Sequence, residues 1–269
     1  MTTLGLIDSH THLQDEIFDD NRKKVIARAR EEGVEHIFVC GEDISSSQAA
    51  VKLAQTDPRI TAMVGFHPHN ASEATLEKLD QVKELAKNKE VCAIGEIGLD
   101  FYRNISPPKI QHDVFESQLS IAAEIGLPVS IHSRNAENEL RPHLKNFVQK
   151  SQREIHGILH CFSGNLKLAL EYYEQGFLIS FAGPLTYPKN SELREMASQL
   201  PNEALLLETD SPALPPQKYR GKTNEPSYIK LIAEVMAVAR NTSLMEIAKI
   251  TTVNALQFLI QQPNKTEPM

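Results

Sequence analysis

VCAIGEIGLDFYRNISPPKIQHDVFESQLSIAAEIGLPVSIHSR, running from Val91 to Arg134, is the stretch on which the fold turns. It opens with a short apolar run over 91–96 and closes with another over 128–132. Between them, 108–125 reads as an amphipathic helix. Pro108 starts it, Ile110, Val114, Phe115, Leu119 and Ala122 recur at helical spacing, and Gly126 stops it ahead of Pro128. Strand, helix and strand in that order form the unit of a parallel sheet, because parallel neighbours need a crossover and a helix usually supplies it.

The same pattern extends in both directions. Further apolar runs at 4–8, 35–40, 60–66, 156–160, 177–181 and 204–209 complete a set of eight, and their spacing leaves room for a helix and two loops each time. Amphipathic stretches at 20–32, 76–87, 166–175, 193–200, 227–239 and 243–260 read as helices. Eight such units predict closure into a (β/α)8 barrel of the TIM type. A length of 269 residues suits one such barrel, so we read a single domain over 1–262 and a polar tail over 263–269 that is expected to fray.

Composition narrows the function classes. Hydrophobic residues at 41% and charged residues at 23% describe a globular protein and not a disordered chain or a membrane bundle. No apolar run approaches the roughly 20 residues that span a bilayer, and the first residues lack the features of a signal peptide. A cytoplasmic monomer with no membrane association is expected. Cys40, Cys92 and Cys161 lie far apart in the sequence, which points to neither a disulfide framework nor a thiolate zinc site. The formal charge of −7 excludes a protein that coats nucleic acid by overall electrostatics, so a polyanionic substrate must meet a local basic patch.

The chemistry-bearing residues follow the apolar runs. Run one ends in Asp8-Ser9-His10-Thr11-His12, run three in His67-Pro68-His69, and run four in Glu96 with Gly98-Leu99-Asp100 behind it. Run five ends in His132-Ser133-Arg134, run six in His160-Cys161-Phe162, and run eight in Glu208-Thr209-Asp210. In a parallel barrel all these positions share one mouth, where active sites are built. Each has a plainer reading on its own. A lone histidine is commonly a rim or core residue, Glu96 could pair with a cation, and Asp210 before Ser211-Pro212 could start a turn. Together, imidazoles and carboxylates at six strand ends point to metal. Without thiolate they suit a hydrolytic divalent site, and their number suits two ions about 3.5–4 Å apart that share a carboxylate.

The strings DSHTHL from Asp8, GFHPH from Gly65, IGEIGLDFYR from Ile94, IHSR from Ile131, HCFSG from His160, ETDSP from Glu208 and YRGKTNEP from Tyr219 resemble, in order and spacing, the TatD family of metal-dependent nucleases. The resemblance covers nearly the whole chain. It implies one ion held by His10, His12, Glu96 and Asp210, and a second held by Glu96, His132 and His160. It also implies that His67 reaches the substrate phosphate, and that Arg134 and the 219–222 stretch border the substrate cleft. Gln14 stands where the family often has an acid, outside the ligand set. The implied substrate is DNA, as single strands or 3′ ends, with RNA as a second. The implied ions are magnesium or manganese in function, with zinc or nickel as ions that such a site can also bind.

On this reading an activated water attacks phosphorus, Asp210 accepts its proton, His67 contacts a phosphate oxygen, and Glu208, on the face of its strand opposite Thr209, orients neighbouring groups. Lys218, Arg220 and Lys222 form a dense basic cluster just after a predicted strand end. They are the natural place to hold a nucleic-acid backbone, although a charge run is commonly just a solvated loop. Related amidohydrolases acting on amides or lactones commonly bridge their metals with a carboxylated lysine at the end of strand four, where this chain has Glu96. A D-aminoacyl-tRNA deacylase or small-molecule amide or ester hydrolase using the same metal site is the alternative. A vestigial, non-enzymatic scaffold would have eroded ligands or a strongly basic surface, and neither is seen.

Overall fold

The computed structural model describes residues 5–260; Leu4 of the first predicted run and the predicted tail at 263–269 lie outside them. Eight strands form one sheet in the order of the sequence: β1 (Leu6–Thr11), β2 (Val34–Cys40), β3 (Ile60–Val64), β4 (Val91–Asp100), β5 (Val129–Arg134), β6 (Gly157–Leu159), β7 (Phe177–Phe181) and β8 (Leu205–Leu207). Every neighbouring pair from β1–β2 to β7–β8 is parallel. The ring closes at a seam between the first and last strands. There His12 N–H donates to Ser211 O at 2.7 Å and Asp210 N–H to His10 O at 3.0 Å, with a parallel bridge between Thr11 and Ser211.

The strands read as unbroken apolar runs because both faces are covered. Ile7, Phe38, Met63, Ala93, Ile158, Leu178 and Leu206 share an apolar cluster with Phe258 and Ala255. Phe258 belongs to the last helix, and its ring stacks on Phe38 at 6.0 Å. The alternate side chains, Leu6, Val39, Val64, Ile94, Ile131, Ile179 and Leu207 among them, pack in the larger cluster shared with the helices.

Those helices are α1 (Arg22–Glu31), α2 (Ile44–Ala54), α3 (Leu76–Leu85), α4 (Pro108–Ile125), α5 (Glu137–Lys150), α6 (Leu166–Glu174), α7 (Ser191–Gln199), α8 (Ile229–Ala239) and α9 (Leu244–Ile260). Two of them, α2 and α5, were not expected from periodicity. In α2 the run Ser45-Ser46-Ser47 has low helix propensity, and the helix is started by a capping box in which Asp43 and Ser46 satisfy each other's backbone amides. In α5, Pro142 sits inside the helix and masks a buried stripe of Leu140, Leu144 and Phe147. The barrel is therefore more regular than the sequence pattern. Among the described residues, no helix is long and apolar enough to cross a membrane.

β4 outruns its predicted end at Glu96 and continues to Asp100. Gly98 makes this possible: it pairs with His132, its φ is +145°, and a Cβ there would lie 2.0 Å from the His132 carbonyl oxygen. The close approach of β4 to β5 brings Glu96, Asp100 and His132 into one cluster.

Candidate metal centre

Successive side chains alternate across a strand, so His10 on β1 and His12, the residue just after it, share one face, as do Glu96 and Asp100 on β4. Glu96 is the hub. Its Oε2 lies 3.2 Å from His10 Nε2 and 3.5 Å from His12 Nε2. Asp210 Oδ1 closes that group at 3.5 Å from His12 Nε2 and 4.0 Å from His10 Nε2. The other oxygen, Oε1, lies 2.9 Å from both His132 Nδ1 and His160 Nε2, which are 3.4 Å from each other. His67 Nε2 approaches the same oxygen at 3.5 Å. Three trios have donor atoms within 4.8 Å of one another: His10, His12 and Glu96; His10, His160 and Asp210; and His67, Glu96 and His132.

The far nitrogen of each ring identifies which tautomer its surroundings select. His12 Nδ1 faces the Cys40 carbonyl at 3.0 Å, which calls for a proton there and leaves the Nε2 lone pair facing the cluster. His160 Nδ1 faces Glu208 Oε1 at 3.0 Å, with the same result. His132 is turned round: Nε2 faces Asp100 Oδ2 at 3.3 Å, and Nδ1 offers the lone pair. His10 Nδ1 lies 3.4 Å from Ser130 Oγ and 3.5 Å from Cys40 Sγ. His67 differs from the others. Its Nδ1 accepts the His69 backbone N–H at 3.1 Å, so a neutral ring carries its proton on Nε2, the atom aimed at the cluster. The surroundings of His67 thus favour a hydrogen-bond donor, while those of His12, His132 and His160 favour ligands.

Charge balance points the same way. Glu96, Asp100, Glu208 and Asp210 are all buried, and among the described residues no lysine or arginine pairs with any of them; their ionic partners are histidines. Burial would raise the Glu96 carboxyl, but His160, His67 and His10 hold it well below the usual carboxylate range. Burial likewise opposes charge on Asp210, and His12 and His160 hold it down. Burial opposes charge on His12 too, yet the Asp210 hydrogen bond and the Glu42 and Glu96 carboxylates push it up to about 10. His160 is also raised, by Glu96 and Glu208 against burial, whereas burial and His160 push His10 down, and burial drives His67 well below the usual histidine range. Protons on His12 and His160 therefore offset part of the negative charge of the buried carboxylates beside them. A divalent cation fits the same place: imidazole and carboxylate donors converge without thiolate, and buried Glu208 Oε2 has no partner of its own.

Above the cluster lies a cleft of about 520 Å³ lined by His12, His67, Glu96, His132, His160 and Asp210, and at its rim by Asp15, Glu42, Arg103 and Arg134. Arg134 is thus in the cleft wall, exposed, with its guanidinium over the Tyr102 ring. Lys218, Arg220 and Lys222 are not among the lining residues. They project from the exposed loop that follows, where Arg220 lies 4.5 Å over Tyr187 and both lysines lie 5.6 Å from the centre of Tyr219. Gln14 donates to the Cys40 carbonyl at 2.7 Å, the oxygen that also faces His12.

Sequence reading assigned no role to Asp100 or His69. Asp100 Oδ2 meets His69 Nε2 at 2.9 Å as well as His132, and Asp100 Oδ1 accepts the backbone N–H of Tyr102 and Arg103 at 3.0 and 2.7 Å. The signal for Asp100 was its even spacing from Glu96, which puts both on one face if the strand is allowed to continue.

Comparison with known proteins agrees with this construction. The model of the TatD related DNase family matches residues 7–260. The chain is 40% identical over 250 residues to the uncharacterized metal-dependent hydrolase YabD of Bacillus subtilis, covering 93% of this chain and 97% of that one. It is 35% identical over 255 residues to the 3′-5′ ssDNA/RNA exonuclease TatD of Salmonella typhimurium, covering 93% and 97%. The crystal structure of YjjV, a TatD homolog from Escherichia coli, superposes with a TM-score of 0.89 at 29% identity over 97% of this chain and 99% of that one. With a parallel eight-stranded barrel, buried histidine and carboxylate clusters at its mouth and these likenesses along its length, the chain belongs to the TatD-related DNase family of metal-dependent hydrolases.

Proposed function

We propose that this chain is a 3′-5′ exonuclease of single-stranded DNA, with RNA as a second substrate, working with two divalent ions. The observation that carries the reading is the division of Glu96, one carboxylate oxygen toward His10 and His12 and the other toward His132 and His160. His10, His12, Glu96 and Asp210 would hold one ion; Glu96, His132 and His160 would hold the other. Magnesium or manganese serves in function, and zinc or nickel can occupy such donors. When bound, the ions supply an activated water and neutralise charge on the phosphate and the leaving oxygen.

The chain's own groups do the rest. Asp210, a buried carboxylate 3.5 Å from His12, takes the proton of the attacking water. His67, kept neutral by burial and with Nε2 as the protonated nitrogen, donates to a phosphate oxygen as charge develops there. Glu208 fixes His160 through Oε1, which also accepts the Cys161 N–H at 2.8 Å, and Asp100 fixes His132. The relatives named as 3′-5′ ssDNA/RNA exonucleases at 35–36% identity support the substrate and the polarity.

The test is turnover by metal-stripped protein reloaded with magnesium, manganese or zinc on single-stranded DNA, RNA, a small phosphodiester and a D-aminoacyl-tRNA, side by side. Stepwise shortening of the oligonucleotides from the 3′ end is expected. Hydrolysis confined to the aminoacyl ester or to the small diester overturns the reading.

A further inference from the structure

Beyond the metal cluster, the two sides of the cleft differ in charge. Asp15 and Glu42, from the loops that follow β1 and β2, line one side; Arg103 and Arg134, at the ends of β4 and β5, line the other. A polyanion leaving the centre is repelled on the first side and drawn along the second. On that second side the Arg134 guanidinium lies 4.3 Å from the centre of the Tyr102 ring. Arg134 lines the cleft, and Tyr102, 62% exposed and outside the lining, covers one face of its guanidinium.

This pair is also held in place. Asp100 is in register with Arg134, and its Oδ1 accepts the N–H groups of Tyr102 and Arg103 while its Oδ2 meets His132 and His69. One buried carboxylate thus fixes the wall and a residue of the centre together. A planar cation backed by an aromatic ring presents a flat, weakly hydrated face, the surface on which an unpaired nucleobase stacks regardless of sequence. A base in a duplex is already stacked and paired and cannot reach it.

We infer that the Tyr102–Arg134 pair is a stacking platform for an unpaired nucleobase, and that a single strand leaves the centre over the β4–β5 wall with Arg103 beside its backbone. Arg134 makes the contact, and Tyr102 is a positioning residue that holds the guanidinium flat. The inference rests on the nuclease reading above and deepens it by giving the reason for single-strand preference.

The experiment is equilibrium binding of a fluorescent single-stranded oligonucleotide, measured by anisotropy on the metal-stripped protein, where the strand is not cleaved. It compares wild type, Tyr102→Ala and Tyr102→Phe on an intact strand and on strands with one abasic site at each of the first three positions from the 3′ end. Tyr102→Ala weakens binding of the intact strand about 5- to 100-fold, as loss of one stacked base does, and Tyr102→Phe restores it. One abasic position weakens wild type by a similar factor and cancels the Tyr102→Ala penalty, because ring and base are coupled. Equal affinity of Tyr102→Ala and wild type, a penalty that persists at every abasic position, or no binding by wild type overturns the platform. KM for cleavage follows the same ratios. Coupled binding without cleavage in any metal overturns the nuclease reading and leaves the platform standing; cleavage without coupling does the reverse.

Discussion

The donor cluster and the Lys218–Lys222 loop were both legible as functional from residue type, yet the structure treats them differently. The cluster's side chains come from strand ends fixed by the sheet ladder; all but the half-buried His132 are buried, and they touch one another. The loop's cations are exposed, rest on tyrosine rings and stand outside the cleft lining. A rigid ladder turns sequence spacing into geometry, whereas a loop of the same density of charge can go anywhere. The comparison therefore ranks what each region should contribute.

Its sharpest break is at Glu96. Glu96→Gln should remove metal and lower turnover by at least about 10³-fold together, because on the proposed reading both ions would depend on this one carboxylate. Metal analysis and oligonucleotide turnover on protein shown folded by circular dichroism decide this; wild-type turnover with two ions per chain would falsify the hub. His67→Ala comes next, with a loss of about 10²-fold in turnover and little change in metal content, as expected for a lost donor to developing charge. Metal lost in proportion to activity would make His67 a ligand.

Groups one contact further out should matter less. Asp100→Asn and Glu208→Gln should each weaken metal binding about 10- to 100-fold, since each holds the far nitrogen of a ring whose near nitrogen faces the cluster. Unchanged affinity in both would mean that packing alone sets those rings.

Acidity gives an independent handle on the cluster. The metal-free His12 ring holds its proton up to about 10, so an ion must displace that proton at any lower pH. Raising the pH removes the competitor, and affinity should climb about tenfold per unit for each proton released between roughly pH 6 and pH 9. Calorimetry in buffers of different ionisation enthalpy counts those protons, and a count of zero would mean a neutral His12. The smallest effect belongs to the loop. Arg220→Ala should flatten the slope of log affinity for single-stranded DNA against log salt by about 0.7, the value of one phosphate contact. An unchanged slope would leave Lys218, Arg220 and Lys222 as a solvated loop and put the backbone contacts on Arg103 and Arg134.

Eight apolar runs sufficed for the barrel, because covering a parallel sheet on both faces leaves a strong signal. They did not suffice for α2 and α5, where serines and Pro142 weaken local propensity and tertiary packing supplies the helix instead. The apolar run was bounded at Glu96, whereas Gly98 lets β4 continue to Asp100 in close contact with β5. The spacing of His10 and His12 was readable because alternation along one strand is local. The role of Asp100 was not, since it depends on His69 arriving from the short 3-10 turn after β3 and His132 from β5. Nor was the tautomer of His67, which is set by a backbone N–H two residues on.

The seam where β8 meets β1 has a further consequence, for how the chain holds itself shut. His10 and His12 stand near one end of the described chain, and Asp210 stands about 200 residues later, on the far side of the last strand. An ion gripped by both would act as a removable cross-link around almost the whole barrel. In a chain-entropy picture, closing a loop of that length is worth on the order of 5 kcal/mol. The amides of His12 and Asp210, which bond across the seam, would report the clasp directly, exchanging slowly with the ion in place and faster once a chelator opens the ring at its own first and last turns.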